Sequence, residues 1–82
     1  MYYKIVKITD RKGVDKLDET AKSRIGRVID MRNSFIMQNR SALLVCVNWQ
    51  KSMVTSPVEE WIENPGEIVI KTQNSVYTLR EE

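Results

Sequence analysis

The residues of this 82-residue chain that could do chemistry are few and poorly assembled for catalysis. Asp15, Asp18 and Glu19 are the first candidates for a cation site, but they lack the ligand spacing and glycine placement of a calcium loop. They read instead as the charged start of a helix. Glu59, Glu60 and Glu63 invite an acid–base pair, yet they flank the turn Asn64-Pro65-Gly66-Glu67, where nothing would raise a carboxyl pKa. Histidine, the commonest general base and metal ligand, is absent. One cysteine without histidine excludes the usual zinc sets, and Gly13, Gly26 and Gly66 are too isolated to form a phosphate loop. No catalytic, cofactor or metal residue is therefore assigned, and the chain is expected not to be an enzyme.

Binding is the chemistry that remains. Arg24, Arg27, Arg32, Arg40 and Lys51 are the candidate residues for a face that binds nucleic acid or another partner, with Tyr2, Tyr3 or Trp49 offering stacking planes. The net charge of +2 conceals a polarity: residues 1–51 carry eleven Lys/Arg against five Asp/Glu, and residues 52–82 carry two against six. In a small barrel the two halves interleave, so a scatter of arginines around strand ends explains the same pattern. A second polar set, Thr55, Ser56, Thr72, Asn74, Ser75 and Tyr77, lies within otherwise apolar strands. Its short side chains either tie off backbone groups where strand pairing is interrupted, or line a peptide or nucleotide groove at a barrel mouth. Phe35-Ile36-Met37 is a candidate exposed apolar contact, and Met37 and Met53, near turns, would suit an adaptable surface.

These residues must be positioned by short strands. Tyr3–Thr9 is rich in Ile, Val and Tyr and ends at Asp10-Arg11-Lys12-Gly13, a turn closed by glycine. Over Val14–Arg24 the apolar residues Val14, Leu17, Ala21 and Ile25 fall near helical spacing. Asp15 could cap such a helix of two to three turns and Gly26 could end it; an irregular polar loop is the alternative. Arg27–Met31 forms the next strand, Arg32-Asn33-Ser34 kinks it, and Gln38-Asn39-Arg40-Ser41 is a turn. Ala42–Trp49 is apolar on both faces, which predicts a central strand. Gln50-Lys51-Ser52 turns the chain into the strand Met53–Ile62, whose Val54, Val58 and Ile62 share one parity. Pro57 cannot donate to a ladder and predicts an edge or a bulge. Pro65-Gly66 suits a type II turn, within a loop expected to span Glu63–Glu67 because a bare type II turn splays its strands. Ile68 and Ile70 alternate with Val69 and Lys71, Gln73-Asn74-Ser75 breaks the pattern, and Val76–Leu79 resumes it.

Five to six short strands in one domain over residues 1–82 predict a mainly β fold, a small SH3-like barrel. Its long first loop, Asp10–Gly26, would hold the short helix if one forms. An α+β sheet with one packed helix is the competing architecture. No stretch approaches the ~20 apolar residues of a membrane span, and the start lacks a signal-peptide core. The lone Cys46, inside an apolar run, reads as a buried small hydrophobe. A cytoplasmic location is expected.

Gly26-Arg27-Val28, Arg40–Leu44, Thr55-Ser56-Pro57-Val58 and Ile70–Tyr77 resemble segments of a loose group of small, largely uncharacterised proteins. The group comes from Gram-positive bacteria, their phages and other mobile elements, and shares a TSPV…T-x-N-S-x-Y ending. The resemblance covers residues 25–80 and implies a compact β-rich fold and a mobile-element origin; it brings no activity and no site residues. Three roles are therefore expected of the chain: a non-catalytic module binding an unknown protein, with self-association among its forms; a nucleic-acid-binding barrel; or a structural subunit of a larger assembly.

Overall fold

The computed structural model describes residues 1–48 and 51–82. Six strands follow one another as β1 (Tyr2–Thr9), β2 (Val28–Asp30), β3 (Ser41–Leu44), β4 (Met53–Asn64), β5 (Glu67–Thr72) and β6 (Val76–Glu81). A helix α1 (Glu19–Arg24) lies between β1 and β2, and a 3-10 turn (Met31–Asn33) follows β2. All strand pairs are antiparallel, in the order β2-β1-β6-β5-β4-β3. The two ends of that sheet also meet. The amide of Asp30 donates to Val45 O at 2.8 Å, that of Val47 donates to Val28 O at 2.9 Å, and Ile29 pairs with Cys46. The sheet thus curls into a nearly closed barrel, which leaves few strand edges bare. This is the mainly β small barrel that the strand count predicts, with the expected long first loop and the short break before the last strand.

The core is built by alternation. Ile68, Ile70 and Thr72 of β5 and Tyr77 and Leu79 of β6 point inward, against Ile5 and Ile8 of β1 and Ile29 of β2. On β1 the inward parity passes from Tyr3 and Ile5 to Ile8 because the register with β6 shifts between Ile5 and Lys7. One extra residue in a strand reverses its alternation from there on.

The same effect corrects the expectation for β4. Val54 and Ile62 are exposed and only Val58 of that parity is buried, whereas Met53 and Thr55 point inward. Register shifts on both sides of Val58 switch the inward face, and Pro57 sits between them, as a residue without an N–H should. Met53 is accordingly a core residue at 2% exposure rather than a surface contact.

Three further expectations change. The segment after Arg40 is not a central strand apolar on both faces: Ala42, Leu44 and Cys46 are buried, while Leu43 and Val47 are exposed. β3 ends at Leu44 because residues 45–47 leave β4 to bond to β2; Trp49 and Gln50 lie outside the described residues. The loop after β4 is shorter than expected. Asn64 pairs directly with Glu67, so Pro65-Gly66 alone make the turn, with Gly66 at φ +78°. Finally, the helix is shorter than the apolar spacing suggests. Residues 14–17 return along β1, where Asp15 pairs with Thr9 and the Lys16 amide donates to Ile8 O, leaving Val14 and Leu17 exposed. Asp18, not Asp15, is the N-cap: its carboxylate accepts from the Ala21 amide at 2.8 Å, and Ala21 is the helix's buried residue.

Candidate functional site

The first half of β4 overruns its neighbour. β5 begins pairing with β4 only at Val58, so one flank of residues 53–56 has no strand beside it. Leu43 exchanges both backbone hydrogen bonds with Phe35 on its other side, so Leu43 and Val54 form a non-hydrogen-bonded pair, and the Val54 carbonyl points into the gap. Helix α1 and the break before β6 close over this gap without filling it. A cleft of about 310 Å³ remains between α1, β4 and the break.

Two cations enter the cleft from the long first loop, and both end on groups from the second half of the chain. Lys16 Nζ donates to Ser75 Oγ at 2.7 Å. The Arg24 guanidinium, at the last residue of α1, donates to the Tyr77 hydroxyl at 2.7 Å and to Val54 O at 3.2 Å. Both side chains belong to half-buried residues, and neither forms an ion pair among the described residues. Asp18 is the acid on the same wall, with one carboxylate oxygen committed to the helix cap.

The polar set noted in the sequence meets here, and most of it has a structural task. Thr72 is fully buried; its hydroxyl donates to Ser75 O and accepts from the Ser75 amide, each at 3.1 Å. Thr55 Oγ1 accepts from the Ala42 amide at 3.0 Å, where the shift in register denies that amide a strand partner, and donates to Ser56 O. Ser56 Oγ accepts from the Asn74 amide at 3.3 Å. These bonds tie off the backbone around Pro57 and the break. Ser56, Asn74, Ser75 and Tyr77 nevertheless also line the cleft. The structural and the groove readings of this set therefore coincide in space.

The five basic residues named from the sequence do not converge on one place. Arg24 lines the cleft. Arg27, three residues on, donates through Nε to Ser23 O, and both Arg24 and Arg27 act on the Cys46 thiol through their charge. Arg32 lies in the 3-10 turn, beside Met1 and Met31 near the opposite end of β1. Arg40 is exposed in the turn before β3, where its carbonyl accepts from the Val58 amide. Lys51 is exposed ahead of β4. Of the stacking candidates, Tyr2 is exposed, Tyr3 is buried in the core, and Trp49 lies outside the described residues.

Lys16 is not among the basic candidates that the sequence offers. Its position six residues after Asp10 carries no signal until the loop is seen to fold back along β1. The two halves of the charge-polarised sequence also meet on folding. Arg11 pairs with Glu59 across the two halves, and the cations of the long loop reach into the acidic half.

Cys46 is buried, and desolvation holds its thiol pKa above the usual value, against the opposing charges of Arg27 and Arg24. Among the described residues no cluster of His, Cys, Asp or Glu could hold a metal ion. No described helix is long and apolar enough to cross a membrane.

Outside the cleft, the cross-strand register sets three apolar side chains side by side on the outer surface. Phe35 is opposite Leu43, and Leu43 is opposite Val54. Directly opposed residues share a face of the sheet. They are 65%, 37% and 57% exposed, and Val54 also forms part of the cleft wall. No family model, no curated protein and no solved structure matches the chain.

Proposed function

We propose that this chain is a non-catalytic protein-binding module, of phage or mobile-element origin. The observation that carries this reading is the row Phe35–Leu43–Val54, three exposed apolar side chains set side by side by the strand register, which leads directly into the cleft. A strip of this kind marks a contact surface more often than isolated exposed apolar residues do. The chemistry of the cleft supports binding over catalysis, since its cations rest on hydroxyls and a carbonyl rather than on a base or nucleophile pair. The origin rests on the resemblance of the TSPV and T-x-N-S-x-Y segments. Nucleic-acid binding through Arg24, Arg27, Arg32, Arg40 and Lys51 gains no comparable support, because these residues are dispersed over the barrel.

Affinity capture from a nuclease-treated lysate of a Gram-positive host tests the reading, with the wild-type chain compared against Phe35→Asp and Leu43→Asp. A partner enriched by the wild type and lost by both folded variants is the expected result. Equal capture by all three would overturn it, as would a partner recovered only from a parallel lysate left without nuclease. Size measured across concentration identifies the remaining case, in which the partner is a second copy of the chain.

A further inference from the structure

Two cations face the cleft with most of their hydrogen-bond donors unspent, and that surplus specifies a ligand. Lys16 uses one of its three N–H groups on Ser75 Oγ, and Arg24 uses two of its five on the Tyr77 hydroxyl and Val54 O. The Ser75 and Tyr77 hydroxyls accept these bonds, and each keeps its own hydrogen to donate. Among the described residues neither cation has a carboxylate partner; Asp18, the acid on the wall, commits one oxygen to the helix cap and offsets one of the two positive charges, leaving the wall net positive. Positive charge and free N–H and O–H groups therefore face the same small space, next to the apolar row that begins at Val54.

We propose that this cleft receives a carboxylate of an acidic peptide, with neighbouring apolar side chains of that peptide lying along Val54, Leu43 and Phe35. The inference rests on the protein-binding reading and names the chemistry of its partner. A carboxylate answers both unmet requirements at once. It supplies countercharge to Lys16 and Arg24, and its two oxygens accept from the cations and from the Ser75 and Tyr77 hydroxyls. The peptide backbone attached to it accounts for the continuity of the cleft with an apolar strip, which a free small anion would leave unused.

The test uses the full chain labelled with nitrogen-15 and two pairs of short, N-acetylated, leucine-containing peptides, followed by amide chemical shifts. One pair differs by a central Glu against Gln, with both peptides amidated. The other differs by a free C-terminal carboxylate against its amide. At least one acid is expected to saturate shifts at Lys16, Asn74 and Ser75 and to bind about tenfold or more tightly than its neutral partner, the range of a charge-assisted hydrogen bond. Lys16→Gln should remove that preference. Arg24→Gln should do the same, and Lys16→Gln keeps the test decisive if loss of the Tyr77 contact unfolds the chain.

Acid and neutral peptides binding equally in both pairs would overturn the inference. If that equal binding is still lost in Phe35→Asp, the protein-binding reading stands and the carboxylate site alone falls. Shifts produced equally by acetate and by the acidic peptides would also overturn it, since the apolar row would then contribute nothing.

Discussion

The hairpin β5–β6 and the bulged first half of β4 are neighbours in the barrel but follow different rules. In β5–β6 five consecutive pairs run from Glu67↔Arg80 to Lys71↔Val76 without a break in register, and burial alternates strictly with position. In β4 the register slips twice, the inward face changes parity, and short polar side chains complete what the ladder omits. The regular side has backbone partners throughout and offers a ligand little. The irregular side leaves a flank of β4 uncovered, and the cleft occupies that flank. In this barrel, therefore, the departures from regular pairing position the candidate site, and the regular hairpin serves as its foundation.

The sharpest test of that division is to damage the foundation. Ile70 is fully buried at the centre of β5, so Ile70→Ala removes apolar volume from a closely packed interior. It should destabilise the barrel by about 2–5 kcal/mol, read as a lowered midpoint in denaturant with an unchanged slope. A loss well under 1 kcal/mol would mean that the hairpin repacks freely and is not the rigid side of the comparison.

Thr72→Val probes the junction between the two regions. Valine keeps the β-branched shape, but it removes the hydroxyl that holds the Ser75 amide and carbonyl inside the barrel. A cost of about 1–3 kcal/mol is expected, because the Ser75 amide loses its acceptor while the Ser75 carbonyl keeps the Thr72 amide and the packing volume is retained. The amides of Gln73–Ser75 should also exchange faster than those of β5. A neutral substitution would show that the break before β6 holds its shape without Thr72, and that the polar set there serves ligand binding more than closure.

How much of this was legible in the sequence follows the same division. Ile68, Ile70, Val76–Leu79 and the turn at Pro65-Gly66 announce themselves, because alternation and turn chemistry are local properties. The parity assigned to Val54, Val58 and Ile62 fails because a bulge leaves no periodic trace; Pro57 marks its place but not its effect on the residues either side. The helix was half legible for a similar reason. Val14 and Leu17 continue the helical spacing of Ala21, yet residues 14–17 satisfy their backbone against β1, which only the folded loop provides. For the site, Arg24 could be named as a basic residue, and Ser56, Asn74, Ser75 and Tyr77 as a polar set. Their meeting, and the arrival of Lys16, depend on contacts between residues more than fifty positions apart.

A smaller effect is expected at α1, which roofs the cleft. Asp18→Ala removes the N-cap acceptor from a helix of six residues and should cost about 1 kcal/mol. The comparison predicts where that loss appears. Amide exchange should rise over Glu19–Arg24, while β5–β6 keeps its protection. Uniform loss of protection would show that the helix and hairpin open as one unit, and the two regions would then differ in geometry but not in stability.

The smallest effect concerns Asp10, at the start of the loop that carries Lys16. Its carboxylate accepts from the Val14 amide at 3.0 Å and from the Lys12 amide at 2.8 Å. The bond from Val14 is the main influence lowering its pKa below the ordinary 3.8; desolvation, next in size, opposes this, while the Lys12 bond and the charges of Lys12 and Lys16 reinforce it. A folded-state pKa depressed below the unfolded one favours the ionised, folded form. The stabilisation from Asp10 is therefore fully present above pH 3.8 and is lost as the pH falls through the lower folded value. Carbon-13 shifts of the Asp10 carboxyl should titrate below 3.8, and Asp10→Asn should flatten its share of the acid limb of stability. Because the loop belongs to the irregular side, acid should loosen residues 10–16 before it affects β5–β6. A carboxyl that titrates at or above the ordinary value would show that the turn is not held by these two amides in solution, and the position of Lys16 over the cleft would lose the local anchor that the loop provides.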